Sequence, residues 1–557
     1  DRLGFQKSIL PVIGMLVGGS VILYFAVNTL PVFLGSLLMM SGYLSGMAVF
    51  GAVIREQTPE HMAGRFQGLR IIAQVLVPGV IGPAIVAFVL RDAAQIENQD
   101  GTFSFLPDKG IWAAAALAAL VLLLAVYGIF AMIRKGHYDL WTEAGERRRD
   151  GKKVQAKEAD RDGWAVHPAP QMRRAHYVVL QDGWTLNGRP IRMPFPPQSL
   201  LAQYGHRVGS KLIYETTFRI PEDFTKERIL LHFGAVDQKA EILIDGQPAG
   251  SHEGGYLPFT LDITRFADRK KKHRLTVKAQ DSLSKAYPYG KQCKKRGGMW
   301  YTPVSGIWQS VWLENVPEVY LKKIVWKPDL SGVNVHLEVE GAPADRLRFE
   351  ARIRLSNGEI STQHFKGLSG RIELTEHICE NGKHYEPRLW NTEDPWLYET
   401  VIRLDGDSEP DEVETYFALR TIRIKEIDGI SRVCLNGQPV FLHGVLDQGY
   451  FSDGIYLPAE PAEYERDVLR MKELGFNLLR KHIKIEPEWF YYYCDKHGLL
   501  VMQDMVNSGR YSFLRDTALP TIGTKKRKDT TGITGKRKAF FIKHAEDTIA
   551  HLYNHPC

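Results

Sequence analysis

From residue 8 to residue 54 the chain carries no Asp, Glu, Lys or Arg, and the same holds over 71–90 and 110–133. No other feature limits the fold so strongly. A helix needs about 20 apolar residues to cross a bilayer. The first run is too long for one such helix and long enough for two. Asn28-Thr29-Leu30-Pro31 supplies the turn between them, because proline disfavours a helical conformation in the residue before it. The other runs give a third and a fourth span. Buried soluble helices are the alternative, but four such runs so close together are hard to bury in one small core. After Arg134 the sequence is rich in charge. The chain is therefore expected to be neither wholly soluble nor wholly membrane-embedded.

Lys and Arg in the short loops set the orientation of such spans. One side carries Arg2 and Lys7, then Arg55, Arg65 and Arg70, then a cluster from Arg134 to Lys153. The other carries Arg91 and Lys109 among Asp92, Glu97, Asp100 and Asp108. The positive side is expected to be cytoplasmic, with everything after residue 135 on that side. Two loops carry a resemblance. Asp1-Arg2-Leu3-Gly4-Phe5-Gln6-Lys7 resembles the Asp-Arg-x-Gly loop of major facilitator transporters. Thr58-Pro59-Glu60-His61-Met62-Ala63-Gly64-Arg65-Phe66-Gln67-Gly68 resembles a later cytoplasmic loop of the same superfamily, in its sugar–cation symporter branch. The resemblance implies the last four of twelve spans. Phe5-Gln6 departs from the usual second basic residue.

The five cysteines show no Cys-x-x-Cys spacing, so neither a disulfide framework nor a zinc site is expected, and no metal or cofactor is assigned. Residues 136–170 mix charge with Gly and Pro and read as a solvated tether; a basic patch touching lipid headgroups is the alternative. The basic clusters Lys525-Lys526-Arg527-Lys528 and Lys536-Arg537-Lys538 lack an aromatic platform, so nucleic acid is not an expected partner.

From about Met172 the apolar period becomes two. Leu212, Tyr214, Thr216, Phe218 and Ile220 alternate with polar residues, and Ile242 and Ile244 precede the hairpin pair Asp245-Gly246. Short strands at this spacing predict an antiparallel sandwich, and a second set from about Pro317 predicts a smaller, immunoglobulin-like one. Tyr301-Thr302-Pro303-Val304-Ser305-Gly306-Ile307-Trp308-Gln309-Ser310-Val311-Trp312-Leu313-Glu314 resembles the strand that closes the first sandwich of glycoside hydrolase family 2. That family includes β-galactosidases, β-glucuronidases and β-mannosidases. Leu389-Trp390-Asn391-Thr392-Glu393-Asp394-Pro395-Trp396-Leu397-Tyr398 is similar to a segment of its immunoglobulin-like domain. Trp300, Trp308 and Trp312 fit either sugar stacking or core packing, and strand alternation favours packing.

After Arg420 strands and helices alternate: strands at 440–445, 476–480 and 499–504, helices at 460–474, 486–497 and about 536–553. Tyr464, Val468, Met471 and Leu474 share one helix face, and Gly475 and Gly498 read as C-caps. This pattern predicts a parallel sheet covered by helices, and the resemblance makes it the start of an eight-fold βα barrel. The expected fold is multidomain: transmembrane helices over 1–135, the tether over 136–170, a jelly-roll sandwich over 171–316, an immunoglobulin-like sandwich over 317–420 and an incomplete (β/α)8 barrel over 421–557.

In such a barrel functional groups follow the C-terminal ends of strands. Asp447 follows the first strand, Arg480 and His482 the second, and Asp504 ends the third. The resemblance implies that these four residues line the sugar subsite nearest the cleaved bond; a local salt bridge or cap is the alternative for each. Tyr491, Tyr492 and Tyr493 read as helix-face packing. Retaining hydrolysis needs two carboxylates about 5–5.5 Å apart. The resemblance puts the acid/base Glu in an Asn-Glu pair ending strand four and the nucleophile at the end of strand seven. Asn554-His555-Pro556-Cys557 looks like the approach to strand four, so both are expected beyond Cys557 and no residue here is assigned to catalysis. The chain is expected to be an internal piece of a membrane-tethered family 2 hydrolase of β-glycosides, coupled to a sugar transporter. Its partners are then a glycoside and the lipid bilayer. The alternatives are a non-catalytic membrane-anchored carbohydrate-binding protein, or a sugar transporter with a regulatory sandwich tail.

Overall fold

The computed structural model describes residues 4–57, 88–91, 95–97, 103–105, 109–119, 163–294, 300–341, 346–406, 409–509 and 535–557. They fall in two compact units, 1–155 and 156–557. Most of the expected spans over 71–90 and 110–133, the 58–68 loop and most of the tether lie outside the described residues.

In the first unit the uncharged run forms two helices, Gly4–Phe25 and Thr29–Gln57, which break at the Asn28 turn. Pro31 sits in the first turn of the second helix, where a missing N–H costs no hydrogen bond. The two helices approach through glycines. A Cβ on Gly19 would lie 2.6 Å from the backbone N of Met39, and one on Gly42 would lie 2.9 Å from that of Leu16. Small residues at crossing points let helix backbones approach closely. Leu30, Phe33, Leu37 and Leu44 face outward. Among the described residues, one helix is long and apolar enough to cross a membrane, over Thr29–Gly46; Pro11–Phe25 and Gly110–Ala119 are shorter apolar stretches.

The second unit opens with a sandwich. A six-stranded antiparallel sheet centres on Lys211–Phe218, Lys239–Ile244 and His273–Gln280. A four-stranded one is built from Tyr177–Val179, Arg228–Phe233, Phe259–Asp262 and Val311–Val316. Every apolar residue of the 212–220 alternation points into the core. Asp245 and Gly246, at φ 50° and 82°, make the tight turn between Lys239–Ile244 and Gln247–Glu253. Trp308 is fully buried, its Nε1 donating to the Gly255 carbonyl at 2.8 Å. A second sandwich pairs Tyr320–Pro328, Gly332–Glu340 and Ser369–Glu373 against a four-stranded sheet spanning Arg348–Phe417 in sequence, with a core of its own around Trp326, Phe349 and Tyr398.

Three parallel strands follow, Gly444–Asp447, Leu478–Lys481 and Leu500–Gln503, in sequential order. Helices Ala462–Glu473 and Glu488–His497 connect them, and Lys536–Leu552 comes after. The first strand begins four residues later than its apolar pattern predicts. Val440 instead donates its N–H to Val433, extending a separate hairpin sheet. The strand starts where Gly444 lets the backbones meet: a Cβ there would lie 2.8 Å from the Leu478 carbonyl oxygen. Leu474, expected on the buried face of its helix, is 66% exposed; Tyr464 and Val468 alone of that face are fully buried. Gly498 closes the second helix in the left-handed conformation, as its place predicts. Tyr491 and Tyr493 are buried among helix neighbours, which is packing.

Candidate functional site

The three parallel strands end at one edge, and the polar residues collect there because the backbone ladder continues past the strands. His482 N–H donates to the Asp447 carbonyl at 2.8 Å, and Asp504 N–H to that of Lys481 at 3.0 Å. Strand alternation then sorts the side chains. Leu479 and Lys481 turn towards the helices, while Arg480 turns to the opposite, open face and is 55% exposed.

Two ionic groups result. In the outer one, Arg480 holds Asp504 through two hydrogen bonds, Nε to Oδ1 at 3.0 Å and Nη2 to Oδ2 at 3.2 Å. His482 Nδ1 lies 3.1 Å from Asp504 Oδ2, and its Nε2 lies 3.3 Å from Lys291 Nζ. Lys291 arrives on a loop of the first sandwich, tied down by its own N–H to Asn507 Oδ1 at 2.8 Å. From the same loop, Tyr301 stacks on Tyr450 with centroids 4.8 Å apart and meets His482 edge-on at 6.1 Å.

The inner group is buried. Lys481 Nζ pairs with Asp447 Oδ2 at 2.8 Å and with Glu486. Lys484 Nζ lies 2.8 Å from Glu486 Oε2 and donates to the carbonyls of Gly449 and Tyr456 at 2.6 Å each. Tyr464 donates to Glu486 at 2.9 Å. Burial pulls the Lys484 ammonium down to about 8 despite Glu486. Burial acts on Lys481 in the same sense, but Glu486 and Asp447 outweigh it and raise its pKa. Burial would raise Asp447 too; Lys481 overcomes it and holds the carboxylate below its ordinary value.

Of the four residues predicted from sequence, Arg480, His482 and Asp504 thus form one cluster. Asp447 joins it through its carbonyl, while its carboxylate turns to Lys481. Sequence reading missed Lys481, Lys484, Glu486, Lys291, Tyr301 and Tyr450. The signal for the first three was Lys481-His482-Ile483-Lys484-Ile485-Glu486, charge interleaved with Ile directly after a strand. The aromatic shelf is Tyr301 with Tyr450. Trp308 and Trp312 are core residues, and Trp300 lies under the Lys285 ammonium at 5.5 Å. A cavity of about 640 Å³ lies elsewhere, between the first sandwich, the Tyr320–Pro328 strand and the Lys536–Leu552 helix, and none of the four predicted residues lines it. We place the candidate site at the strand ends, because side chains that solvent reaches converge there from the second and third strands.

This edge follows two sandwiches whose sequences match known families. Residues 172–317 match the sugar binding domain of the glycosyl hydrolases family 2, and residues 319–420 match the domain described as glycosyl hydrolases family 2. The two sandwiches are family 2 domains. Relatives of the family 2 region include a β-galactosidase of Thermoanaerobacterium thermosulfurigenes, 27% identical over 53% of this chain and 41% of its own length. A β-glucuronidase of Bacteroides fragilis is 24% identical over 60% of this chain and 50% of the relative. The fold is similar to that of the β-D-glucuronidase of Dictyoglomus thermophilum, with a TM-score of 0.56 at 19% identity, covering 70% of this chain and 66% of that one. The chain thus spans about two fifths to one half of these curated family 2 relatives.

Proposed function

We propose that the whole protein is a family 2 glycosidase that cleaves a β-galactoside, β-glucuronide or related β-glycoside, and that Arg480, His482, Asp504 and Asp447 line its sugar subsite. The observation that carries this reading is the convergence of Arg480, His482 and Asp504 at the C-terminal edge of a parallel sheet that directly follows two family 2 domains. Strand ends of this kind hold the functional groups in βα barrels. Half-exposed Arg480 can offer charge-assisted hydrogen bonds to a sugar hydroxyl or carboxylate. The Tyr301–Tyr450 shelf offers a ring face to the apolar side of a sugar. Lys481, Lys484 and Glu486 fix the loop beneath. The hydrolytic pair itself is assigned to glutamates at later strand ends of the completed barrel. In the protein expressed from its complete reading frame, Arg480→Ala should lower kcat/KM by at least about tenfold, or roughly 1.4 kcal/mol of transition-state binding. An unchanged kcat/KM would return Arg480 to a purely structural pairing with Asp504.

A second reading, a carbohydrate-binding protein without catalysis, draws on the fact that Asp447 and Asp504 are both engaged in ion pairs. Turnover separates the two. The uncharged helices of the first unit are proposed to anchor the enzyme in a membrane beside or within a sugar transporter. The Lys/Arg bias of the loops supports a cytoplasmic side for the hydrolase.

A further inference from the structure

The second sandwich carries a cluster that the strand-end site does not use. Glu359 lies just after the turn that joins Arg348–Arg354 to Ile360–Lys366, and His377 and Cys379 lie in the loop after Ser369–Glu373. One donor atom from each, a carboxylate oxygen, an imidazole nitrogen and a thiol sulfur, fall within 4.8 Å of one another. We propose that Glu359, His377 and Cys379 form a binding site for a zinc-type divalent cation, with water as the remaining ligand.

Donor chemistry comes first. Thiolate, imidazole and carboxylate together are a zinc set, and soft sulfur disfavours calcium or magnesium. Tetrahedral zinc at about 2.0–2.3 Å from its ligands sets donor separations of about 3.3–3.6 Å. His377 Nε2 already lies 2.9 Å from Glu359 Oε2.

Preorganisation comes second. Glu359 Oε1 accepts the Glu380 N–H at 3.0 Å, which leaves Oε2 facing the histidine. Asn357 Nδ2 reaches Cys379 Sγ at 3.4 Å, a donor suited to a thiolate. Both loops are braced from behind. Tyr385 N–H donates to the His377 carbonyl at 2.8 Å, while its hydroxyl receives the Ser356 N–H at 3.1 Å. Cys379 exchanges backbone bonds with Lys383 and Gly382 at 2.8 Å each. The frame is therefore fixed before any ion arrives, as a tight site needs.

Access and field come third. The side chains of Glu359 and His377 are 21% and 19% exposed, so an ion enters without opening the core. Over 376–386, Glu376, Glu380 and Glu386 outnumber Lys383. Binding forms the metal–sulfur bond and releases the thiol proton to solvent, with no change in oxidation state. The sequence hid this site because Glu359 stands 18 residues from His377, outside the usual zinc spacings.

The test uses the full chain in detergent with Co2+ as a visible stand-in, followed by competition with Zn2+. One equivalent of Co2+ should produce a thiolate-to-cobalt charge-transfer band that Zn2+ abolishes and that Cys379→Ser lacks. Glu359→Gln keeps an oxygen to accept the Glu380 N–H that holds the loop, so it controls for folding; it and His377→Gln should each weaken Zn2+ binding by at least about tenfold. Absence of the band in the native chain would overturn the proposal. So would its persistence in Cys379→Ser, or unchanged affinity in Glu359→Gln and His377→Gln.

Discussion

At the level of single residues the strand-end cluster divides by exposure. Arg480 is 55% exposed and its ion pair with Asp504 contributes little to stability by itself; its value lies in what it offers a ligand. Lys481, Lys484 and Glu486 are the reverse case, shut from water with their charges balanced only by one another and by Asp447. Removing one partner from a buried ionic group leaves an uncompensated charge. Glu486→Gln should therefore destabilise the second unit by about 3–5 kcal/mol, read as a lowered midpoint in chemical unfolding. A loss below about 1 kcal/mol, the range of exposed pairs, would show that water reaches these lysines. The clustering of Arg480, His482 and Asp504 was legible in the sequence because each stands at or just past the end of an apolar strand. Lys481, Lys484 and Glu486 were not. Alternating Lys, Ile and Glu has the pattern of a strand with one solvated face, and only the packing of Tyr456, Tyr464 and Phe490 around them shows that the face is covered.

At the level of elements the two sandwiches are joined by a buried ionic lock. Arg174 donates to Glu314 at 2.8 Å and to both Asp411 oxygens at 3.0 and 2.8 Å, and Asp411 also accepts the Leu321 N–H at 2.9 Å. Glu314 receives His167 at 2.8 Å and lies 3.3 Å from His232. Burial would raise the Glu314 carboxyl, but the His232 and Arg174 charges and the His167 hydrogen bond outweigh it and hold it well below its ordinary value. A carboxyl held low in the folded state contributes stability above its unfolded pKa of about 4.3 and loses it as pH falls further. Glu314→Gln should cost about 3–5 kcal/mol at neutral pH, and its deficit should shrink as pH drops below about 4. A deficit that stays constant from neutral pH into acid would contradict this linkage. Elements with strict alternation were the legible ones, as Lys211–Phe218 and the Asp245-Gly246 turn illustrate. Those decided by partners were not: the first parallel strand shifted because a hairpin claims Val440, and Leu474 is exposed because it stands past the end of its helix, whose face is buried at Tyr464 and Val468.

At the level of the whole molecule an apolar N-terminal unit precedes two sandwiches that match glycosyl hydrolases family 2. The uncharged run and the strand–helix change after Arg420 were plain in the sequence, since both are patterns of composition and period. The Glu359–His377–Cys379 cluster and the Arg174 lock were not, because tertiary folding alone brings their members together. If the Lys/Arg asymmetry sets the orientation, a cysteine at position 99 should be labelled from outside intact cells and one at position 151 should not. Labelling at 151 would put the hydrolase outside. The most direct test of the central claim is turnover. The protein expressed from its complete reading frame should be assayed on aryl β-galactosides, β-glucuronides and β-mannosides, with the anomer of the released sugar followed by NMR. Hydrolysis of at least one of them is expected, with the β-anomer as first product, the outcome of a double displacement. A folded protein that binds these glycosides and hydrolyses none, or that releases the α-anomer first, would contradict it.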